Sequence, residues 1–443
     1  MLFRSGDIHR ANLVSWTKAV AAIPNTGKSV FAKRAAAQEL LGRCLSSIPA
    51  WVVSLNRLYE TVDPVPGLFD VAIVDEASQC WLDSLVLFYL AKQVIIVGDD
   101  KQISPTVVGV SDTDLSDLAQ TFLPDFQFRA NFRLTSSLFD HGNTYLSDGV
   151  PLQEHFRCVP EIIGFSNGLC YSGKLIPLRQ VSRTRLEPLK RTYLENGLRS
   201  GDINDVEARA IVDTIAACHK DPAYEDADFG VICLQGDQQG ERIEQLLLER
   251  LGPEVFARRR LRCGNPYAFQ GDERDVMFMS MVVAPNQPHQ TLTAAMYEQR
   301  FNVAMSRARD QAWLFHSVQE EDLGPNCLRR RVLDHFKNPP DPTIGGSSLD
   351  RLHLQLVAQR ADRMTERPPS PFDSWFEVDV ALALAARGYT LTAQVRVAHK
   401  RIDLVVEGDE GARLAVECDG DAWHGPEQYE ADLLRQRQLE RRP

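Results

Sequence analysis

Two adjacent carboxylates follow an apolar run at Val71–Gln79, which has the sequence VAIVDEASQ. An apolar run of this length is typical of a buried strand, and α/β sheets bind ligands at the carboxyl ends of their strands. At that position Asp75 would hold Mg²⁺, and Glu76 would polarise the water that attacks a phosphate. The alternative is a strand that runs into an acidic turn, because short motifs also match by chance.

Four later stretches place polar side chains beside apolar runs. They are QVIIVGDDKQISP with Gln102, HFRCVPEIIGFSN with Arg157, FQGDERDV with Gly271 and Glu273, and RFNVAMSRAR with Arg307. Together with DEASQ, and in this order and approximate spacing, they resemble the motifs of superfamily 1 DNA/RNA helicases. The resemblance covers about Trp51 to Val318 and is to the branch of the nonsense-mediated-decay helicase and the Okazaki-fragment nuclease-helicase.

This resemblance implies an α/β protein with two RecA-like P-loop NTPase lobes and ATP between them. Asp75 and Glu76 would serve metal binding and water activation, with Mg²⁺ as the metal. Gln102 would couple the γ-phosphate of ATP to movement of the lobes.

The same resemblance gives roles to residues of the second lobe. Arg157 and Arg307 would act as arginine fingers, whose charge stabilises the transferring phosphoryl group. Gly271 and Glu273 would line the cleft and connect ATP to the surface that binds the nucleic-acid strand. For an isolated arginine the alternative is a surface ion pair.

A phosphate-binding loop is one interpretation of Ala22–Ser29, which has the sequence AIPNTGKS with Ala22 in the place of the first glycine. Lys28 would contact the β- and γ-phosphates, Ser29 would bind Mg²⁺, and the loop amides would surround the phosphates. Against this interpretation, NLVSWTKAVAA before the loop predicts an amphipathic helix where a buried strand is needed. Gly27 is also the only glycine in the loop.

The segment between this loop and Asp75 is short for a complete lobe. It predicts one helix (Phe31–Cys44) and one strand (Ala50–Leu55), whereas a superfamily 1 lobe has at least one further strand and helix there. The alternative is therefore that the true phosphate loop lies upstream and that the first lobe is incomplete. Both ends of the chain are expected to be truncated.

Acidic residues also converge near the C-terminus. Glu377 lies on a predicted helix, Asp403 in RIDLVV, Glu417 in RLAVECDG and His424 in DAWHG. Carboxylates on neighbouring strands can hold a divalent metal that activates water against a phosphodiester. The pattern resembles the PD-(D/E)xK nuclease fold, in particular very-short-patch-repair-like endonuclease domains. Asp419 replaces the lysine of that fold, and the resemblance implies that His424 handles the proton; the alternative is a degenerate DNA-binding remnant.

Apolar runs that alternate with helical patterns predict the elements that must position these residues. The runs FDVAIVDEAS, QVIIVGDD, DFGVICLQ, DVMFMSMVVA and AWLFHSV predict strands of parallel sheets covered on both faces. We expect a partial first lobe at 1–150, a second lobe at 151–336 and a Pro/Gly/Ser-rich linker at 337–371 with a short helix-like segment at Leu349–Arg363. A small α/β restriction-endonuclease-like domain follows at 372–443. It would hold a helix at Trp375–Arg387, a hairpin turning at Glu407–Gly411 and a helix from Glu427.

The composition is that of a globular protein, with 44% hydrophobic and 25% charged among 443 residues. The formal net charge of −11 excludes a basic coat over the whole surface but not a local basic groove. Basic stretches at Ala257–Cys263, Leu328–Val332 and Arg179–Arg191 predict either such a groove or solvated helix faces. No apolar run is long enough for a membrane helix, and no signal peptide begins the chain, so a cytoplasmic location is expected.

The predicted function is an ATP-dependent helicase or translocase fused to a metal-dependent endonuclease-like domain, acting in repair or defence. The expected partner is nucleic acid, with single-stranded DNA favoured over RNA. Two alternatives stay open: a catalytically impaired helicase fragment that only binds nucleic acid, and a nuclease with a non-hydrolysing helicase body.

Overall fold

The computed structural model describes residues 7–24, 26–45, 50–104, 109–146, 149–179, 186–339, 347–348, 351–397, 400–408 and 413–418. The chain divides into two compact units, one of residues 1–100 and 104–149 and the other of residues 101–103 and 150–443. In the described part of the chain, no helix has both the length and the apolar character needed to cross a membrane.

The first unit is mainly helical around a two-stranded parallel sheet, in which β1 and β2 pair from Phe69↔Ala91 to Val74↔Ile96. Its elements are α1 (Asp7–Ala21), α2 (Val30–Leu45), α3 (Leu55–Thr61), β1 (Phe69–Val74), α4 (Leu87–Leu90), β2 (Ala91–Ile96), α5 (Asp112–Phe122) and α6 (Leu138–Tyr145). The predicted strand at Ala50–Leu55 is wrong, because residues 50–54 are outside any strand and α3 begins at Leu55.

Local sequence explains where α5 and α6 begin. Ser111 accepts a hydrogen bond from the Asp114 amide while the Asp114 carboxylate accepts one from the Ser111 amide, and Ser137 and Asp140 repeat this capping box at α6. One face of the β1–β2 sheet packs into a core that contains Leu58, Val74 and Leu138.

The second unit contains a five-stranded parallel sheet in the order β5-β11-β10-β8-β9. Its strands are β3 (Glu154–His155), β4 (Ile176–Pro177), β5 (Leu189–Tyr193), β6 (Arg199–Ser200), β7 (Ile203–Asn204), β8 (Phe229–Cys233), β9 (Arg262–Gly264), β10 (Arg274–Ser280) and β11 (Ala308–His316). Its helices are α7 (Pro160–Cys170), α8 (Asp205–Cys218), α9 (Gln238–Arg258), α10 (Ala295–Met305) and α11 (Leu328–Lys337).

Two separate apolar cores show that helices cover both faces of this sheet. Met277 and Met279 of β10 lie in one core, and Val276 and Phe278 lie in the other. Consecutive residues of a strand point to opposite faces, so β10 is buried on both sides. All five apolar runs named above form strands, and the predicted α/β fold with parallel sheets is confirmed. The expected cover on both faces is found for the five-stranded sheet but is wrong for the β1–β2 sheet, where Val71, Ile73 and Ile95 are exposed.

The C-terminal part of the second unit forms an antiparallel sheet in the order β12-β13-β14-β15. Its elements are β12 (Ser347–Ser348), α12 (Arg351–Arg360), α13 (Trp375–Ala386), β13 (Thr390–Val397), β14 (Lys400–Glu407) and β15 (Arg413–Val416). The structure differs here from the predicted linker at 337–371, because Leu354 of α12 is buried in the same core as Val378 and Leu404. Helix α12 agrees with the helix-like segment predicted at Leu349–Arg363, but this part of the predicted linker contributes to the core of the C-terminal domain and is more than a connection.

Candidate active sites

Asp75 and Glu76 lie directly after β1, at the carboxyl end of the parallel pair, and both are exposed. The Glu76 amide donates to Asp75 Oδ1 at 2.9 Å, and Gln79 Nε2 donates to Glu76 Oε2 at 2.9 Å. Glu76 has φ 52° and ψ 39°, a left-handed conformation that is uncommon for a residue with a side chain. The strand end therefore presents two carboxylates on a tightly turned backbone.

The loop that follows β2 packs closely against this turn. The Ala77 amide donates to the Val97 carbonyl at 2.8 Å. A Cβ atom at Gly98 would lie 2.8 Å from Phe139 Cδ2 and 3.0 Å from the Ser78 amide nitrogen. Only glycine allows α6 and the turn after β1 to approach this closely. Gly98 of the sequence QVIIVGDD thus has a packing role that the sequence did not reveal.

Lys28 and Ser29 lie in a different structural context from the one that a phosphate loop requires. The described residues 26–29 connect α1 to α2, so the segment before the loop is a helix rather than a strand. Gly27 has φ 117°, Lys28 and Ser29 are exposed, and the Ser29 carbonyl accepts the Lys33 amide in the first turn of α2. This context argues against Lys28 and Ser29 as phosphate ligands.

Parallel pairing places two of the predicted site residues side by side in the second unit. Arg274 of β10 pairs with Ala308 of β11, and the Arg274 amide donates to the Arg307 carbonyl at 3.0 Å. Glu273 and Arg307, which precede these two strands, therefore lie next to each other at one edge of the sheet.

Glu273 binds two arginines at this edge. Arg157 Nε donates to Glu273 Oε2, and Arg309 Nη1 lies 3.6 Å from Glu273 Oε1. Arg309 also lies 2.6 Å from Asp275 Oδ1 and 3.2 Å from Asp228 Oδ1. These acidic neighbours raise the pKa of Arg309. Arg309, which the sequence interpretation did not single out, thus links the Arg157–Glu273 pair to the body of the sheet.

Arg307 is buried, with 1% of its surface exposed. Its Nε donates to the Val303 carbonyl at 3.2 Å, and its Nη2 donates to Gln102 Oε1 at 3.0 Å. The backbone beside Gln102 is also held within this unit, because Asn302 Nδ2 donates to the Lys101 carbonyl at 2.9 Å and Gln270 Nε2 donates to the Ile103 carbonyl at 3.0 Å. The structure thus brings Gln102 and Arg307 together, and Asn302 and Gln270 are further residues that the sequence interpretation missed.

A neutral histidine completes this edge. The Cys158 amide donates to His155 Nε2 at 3.0 Å. Burial lowers the pKa of His155 to about 4, and the charges of Arg157 and Arg307 act in the same direction. His155 therefore holds the turn that carries Arg157 without adding positive charge. Gly271 has φ 73° with open space around it, so it serves the turn before β10 through its backbone conformation.

Arginines of the predicted basic stretches are largely engaged in internal contacts. Arg259 is 5% exposed and donates to backbone carbonyls, and Arg329 is 2% exposed and donates to Gln235 Oε1. Arg179 lies 2.7 Å from the Asp310 carboxylate. These three side chains stabilise the fold, which leaves fewer charges for a nucleic-acid groove than the sequence suggested.

The predicted carboxylates of the C-terminal domain lie around one end of its hairpin. Leu404 pairs with Val416, so Asp403 lies opposite the next residue, Glu417, and the Cys418 amide donates to Asp403 Oδ2 at 2.9 Å. Glu377 is 5% exposed; burial raises its pKa, and the charge of Asp403 adds to this effect. His424 and Asp419 lie outside the described residues.

A divalent cation suits the oxygen atoms of this end of the sheet. Glu377 and Asp403 are close enough for their charges to interact, and hard cations prefer carboxylate and amide oxygens. However, the described residues contain no group of three or more His, Cys, Asp or Glu side chains arranged to hold a metal. The carboxylates therefore do not complete a metal site by themselves.

Comparison with known families gives three matches along the chain. Family models described as AAA domains match residues 55–109 and 134–319, and the REase_MTES_1575 model matches residues 376–443. The chain is 25% identical over 304 residues to an uncharacterized ATP-dependent helicase, MG140, of Mycoplasma genitalium, covering 65% of this chain and 27% of that protein. It is 26% identical over 288 residues to the mouse 5'-3' DNA helicase ZGRF1, covering 62% of this chain and 14% of that protein.

Among solved structures, the complex of arterivirus nonstructural protein 10, a helicase, with DNA is 14% identical, with a TM-score of 0.28. It covers 69% of this chain and 58% of that one. The family matches and the two relatives confirm the predicted resemblance to superfamily 1 helicases and the fusion of helicase domains to an endonuclease-like domain. The helicase families imply the use of ATP. The chain spans only about a quarter of the length of the Mycoplasma relative.

Proposed function

We propose that this chain, which carries superfamily 1 helicase domains fused to an endonuclease-like domain, is an ATP-dependent helicase or translocase that acts on single-stranded DNA in repair or defence. One observation carries the proposal. Gln102, Arg157, Glu273 and Arg307 come from four separated motifs, and in the second unit they form connected polar contacts at one edge of the sheet. A domain without a catalytic role would not need two arginines that are held at this edge of the sheet by a carboxylate and an amide.

Each residue would have a separate task. Asp75 would hold Mg²⁺, and Glu76 would orient and deprotonate the attacking water. Arg157 and Arg307 would place positive charge against the transferring phosphoryl group, and bound ATP would supply the bond that is hydrolysed. The contact between Gln102 and Arg307 supports a shared role in sensing that group.

ATP hydrolysis by the purified chain, with and without single-stranded DNA, tests this proposal. We expect DNA to stimulate hydrolysis and Glu76→Gln to abolish it, because Gln cannot accept the proton of the water. Glu39→Gln, which changes an exposed residue of α2, is the matched control and should leave hydrolysis unchanged. Hydrolysis that ignores DNA, or that survives in Glu76→Gln, would refute the proposal.

Two further measurements define the nucleic-acid substrate and the residues that contact the phosphates. Single-stranded RNA in place of DNA shows which nucleic acid stimulates the chain. Lys28→Ala should retain the rate of the unchanged protein, because Lys28 follows a helix rather than a strand. A loss of hydrolysis in Lys28→Ala would instead make AIPNTGKS the phosphate loop.

A metal-dependent endonuclease activity is the second candidate function, and the pairing of β14 with β15, which puts Asp403 opposite Glu417, favours it. Bound Mg²⁺ or Mn²⁺ would supply a Lewis acid, while Asp403 and Glu417 would hold it. We expect nicking of circular DNA that needs Mn²⁺ but not ATP and that disappears in Asp403→Ala. Asp379→Ala, at an exposed carboxylate of α13, should nick at the normal rate. Equal nicking by both variants would argue against the domain as its source.

A further inference from the structure

Gln394 has an unusual backbone for a residue in the middle of a strand. It lies in β13 with φ 56°, a left-handed conformation that strains a residue with a side chain. Its surface is only 7% exposed. The neighbouring pairs Ala393↔Leu404 and Val395↔Ile402 place it opposite Asp403. A strained, buried amide therefore lies across the hairpin from a predicted metal ligand.

The contacts of Gln394 fix the orientation of its amide. Its Nε2 donates to Glu377 Oε2 at 2.6 Å, and an ionised carboxylate can only accept. The nitrogen therefore faces Glu377 Oε2, which leaves the carbonyl oxygen Oε1 for another partner. This oxygen is buried and has no hydrogen-bond partner among the residues that the structure describes. A buried acceptor without a partner is costly, so its position calls for a ligand.

Two carboxylates, Glu377 and Asp403, lie near Gln394. Glu377 also accepts from Ser374 Oγ at 2.8 Å, which holds its carboxylate in place. Asp403 Oδ2 accepts from the Cys418 amide. Gln394 therefore lies between Glu377, which it contacts, and Asp403, which lies across the hairpin.

We propose that Gln394 Oε1 is an oxygen ligand, together with Glu377 and Asp403, of a divalent cation such as Mg²⁺ or Mn²⁺. The inference rests on the proposed endonuclease-like site but not on its activity. Two carboxylates and one amide oxygen are a donor set that hard cations accept, with water in the remaining positions. The ligand role also explains why a strained conformation is retained at a buried position.

Binding of Mn²⁺ to the full chain, followed by electron paramagnetic resonance without nucleotide, tests this inference. An Asp75→Ala background removes the other predicted metal ligand. We expect Gln394→Met, which keeps the side-chain length but removes the carbonyl, to weaken Mn²⁺ binding about tenfold or more. Gln355→Met makes the same change at an exposed residue of α12 and should bind as tightly as the background protein.

Asp403→Ala separates the two ways in which the inference can fail. If Asp403→Ala binds Mn²⁺ like the background protein, there is no cation site here and the endonuclease-like proposal fails with the inference. If Asp403→Ala loses binding but Gln394→Met does not, the cation site exists and only the role of Gln394 is wrong.

Gln394→Glu covers the case in which Gln394→Met fails to fold. It keeps an oxygen at this position and puts a further carboxylate beside Glu377, so the protein without metal should melt at a lower temperature and regain stability with Mn²⁺. The rise in melting temperature caused by Mn²⁺ should exceed that of the background protein. An equal or smaller rise would overturn the inference.

Discussion

The buried carboxylate of Glu207 should make the stability of the second unit depend on pH. Glu207 has no exposed surface, and it accepts hydrogen bonds from Ser280 Oγ (2.7 Å), Ser317 Oγ (2.9 Å) and the Val282 amide (2.9 Å). Burial raises the pKa of Glu207 from 4.5 to about 7 although these donors oppose the change. The folded protein therefore holds the proton more tightly than the unfolded chain does.

The sign and size of the effect follow from this difference. A group whose pKa is raised on folding adds stability at low pH, and that stability is lost as pH rises from about 4.5 through about 7. At about 1.4 kcal/mol for each unit of pKa difference, the total loss is about 3 kcal/mol. About 2 kcal/mol of it falls between pH 5.5 and pH 8.

Hydrogen exchange in peptides that contain β10 and Val282, measured by mass spectrometry, provides the assay, because the Val282 amide binds Glu207 directly. Glu207→Gln has no titrating group, so the difference in opening free energy between the unchanged protein and this variant should shift by about 2 kcal/mol between the two pH values. Glu249→Gln removes an exposed glutamate of α9 and should show no such shift. A difference between the unchanged protein and Glu207→Gln that is equal at pH 5.5 and pH 8 would refute the reasoning.

Three other predictions follow from single contacts. Arg309→Ala removes one of the two arginine partners of Glu273 and should lower the turnover number of ATP hydrolysis on the order of 10–100-fold. Arg209→Ala, at an exposed ion pair of α8, should not, and equal rates in the two variants would count against a positioning role. Cys158 is fully buried, and burial raises its pKa to about 12. Mass spectrometry should therefore find Cys158 alkylated by iodoacetamide at pH 8 only after denaturation, and alkylation in the folded protein would contradict its burial. Ser137→Ala removes one half of the capping box of α6 and should reduce the protection of this helix against hydrogen exchange by about 1 kcal/mol; unchanged protection would mean that tertiary packing alone fixes the helix start.

The strands were predictable where the sequence is continuously apolar. DVMFMSMVVA and DFGVICLQ form strands buried on both faces, which is the case that such runs indicate. The error at Ala50–Leu55 has a physical reason, since a short apolar run does not distinguish a strand from the start of a helix. Ser54 precedes α3 there, and LNRLYET continues as a helix. The sequence did not predict strand β13, because Thr390–Val397 mixes polar and apolar residues. The backbone of this strand also leaves the extended conformation at Gln394.

The site was less predictable than the fold because its contacts are between distant residues. Arg157 and Glu273 are 116 residues apart, and Gln102 and Arg307 are 205 residues apart. No local pattern specifies such a pair, so the resemblance to a family supplied these residues as a set. Gln394 had no signal of either kind, because its importance lies in a positive φ angle and an amide orientation that only the folded backbone shows.

The register of β10 and β11 explains how separated motifs can act as one site. Because these strands are parallel neighbours, the residues before each strand meet at one edge of the sheet, and the pairing of Arg274 with Ala308 brings Glu273 beside Arg307. Sliding β11 by one residue would turn Arg307 to the opposite face and would also exchange the side chains of the strand between the two apolar cores, which would disrupt their packing. The apolar burial that stabilises the sheet therefore also fixes the position of Arg307, the residue before β11. No interaction of the Arg307 side chain is needed to set this register.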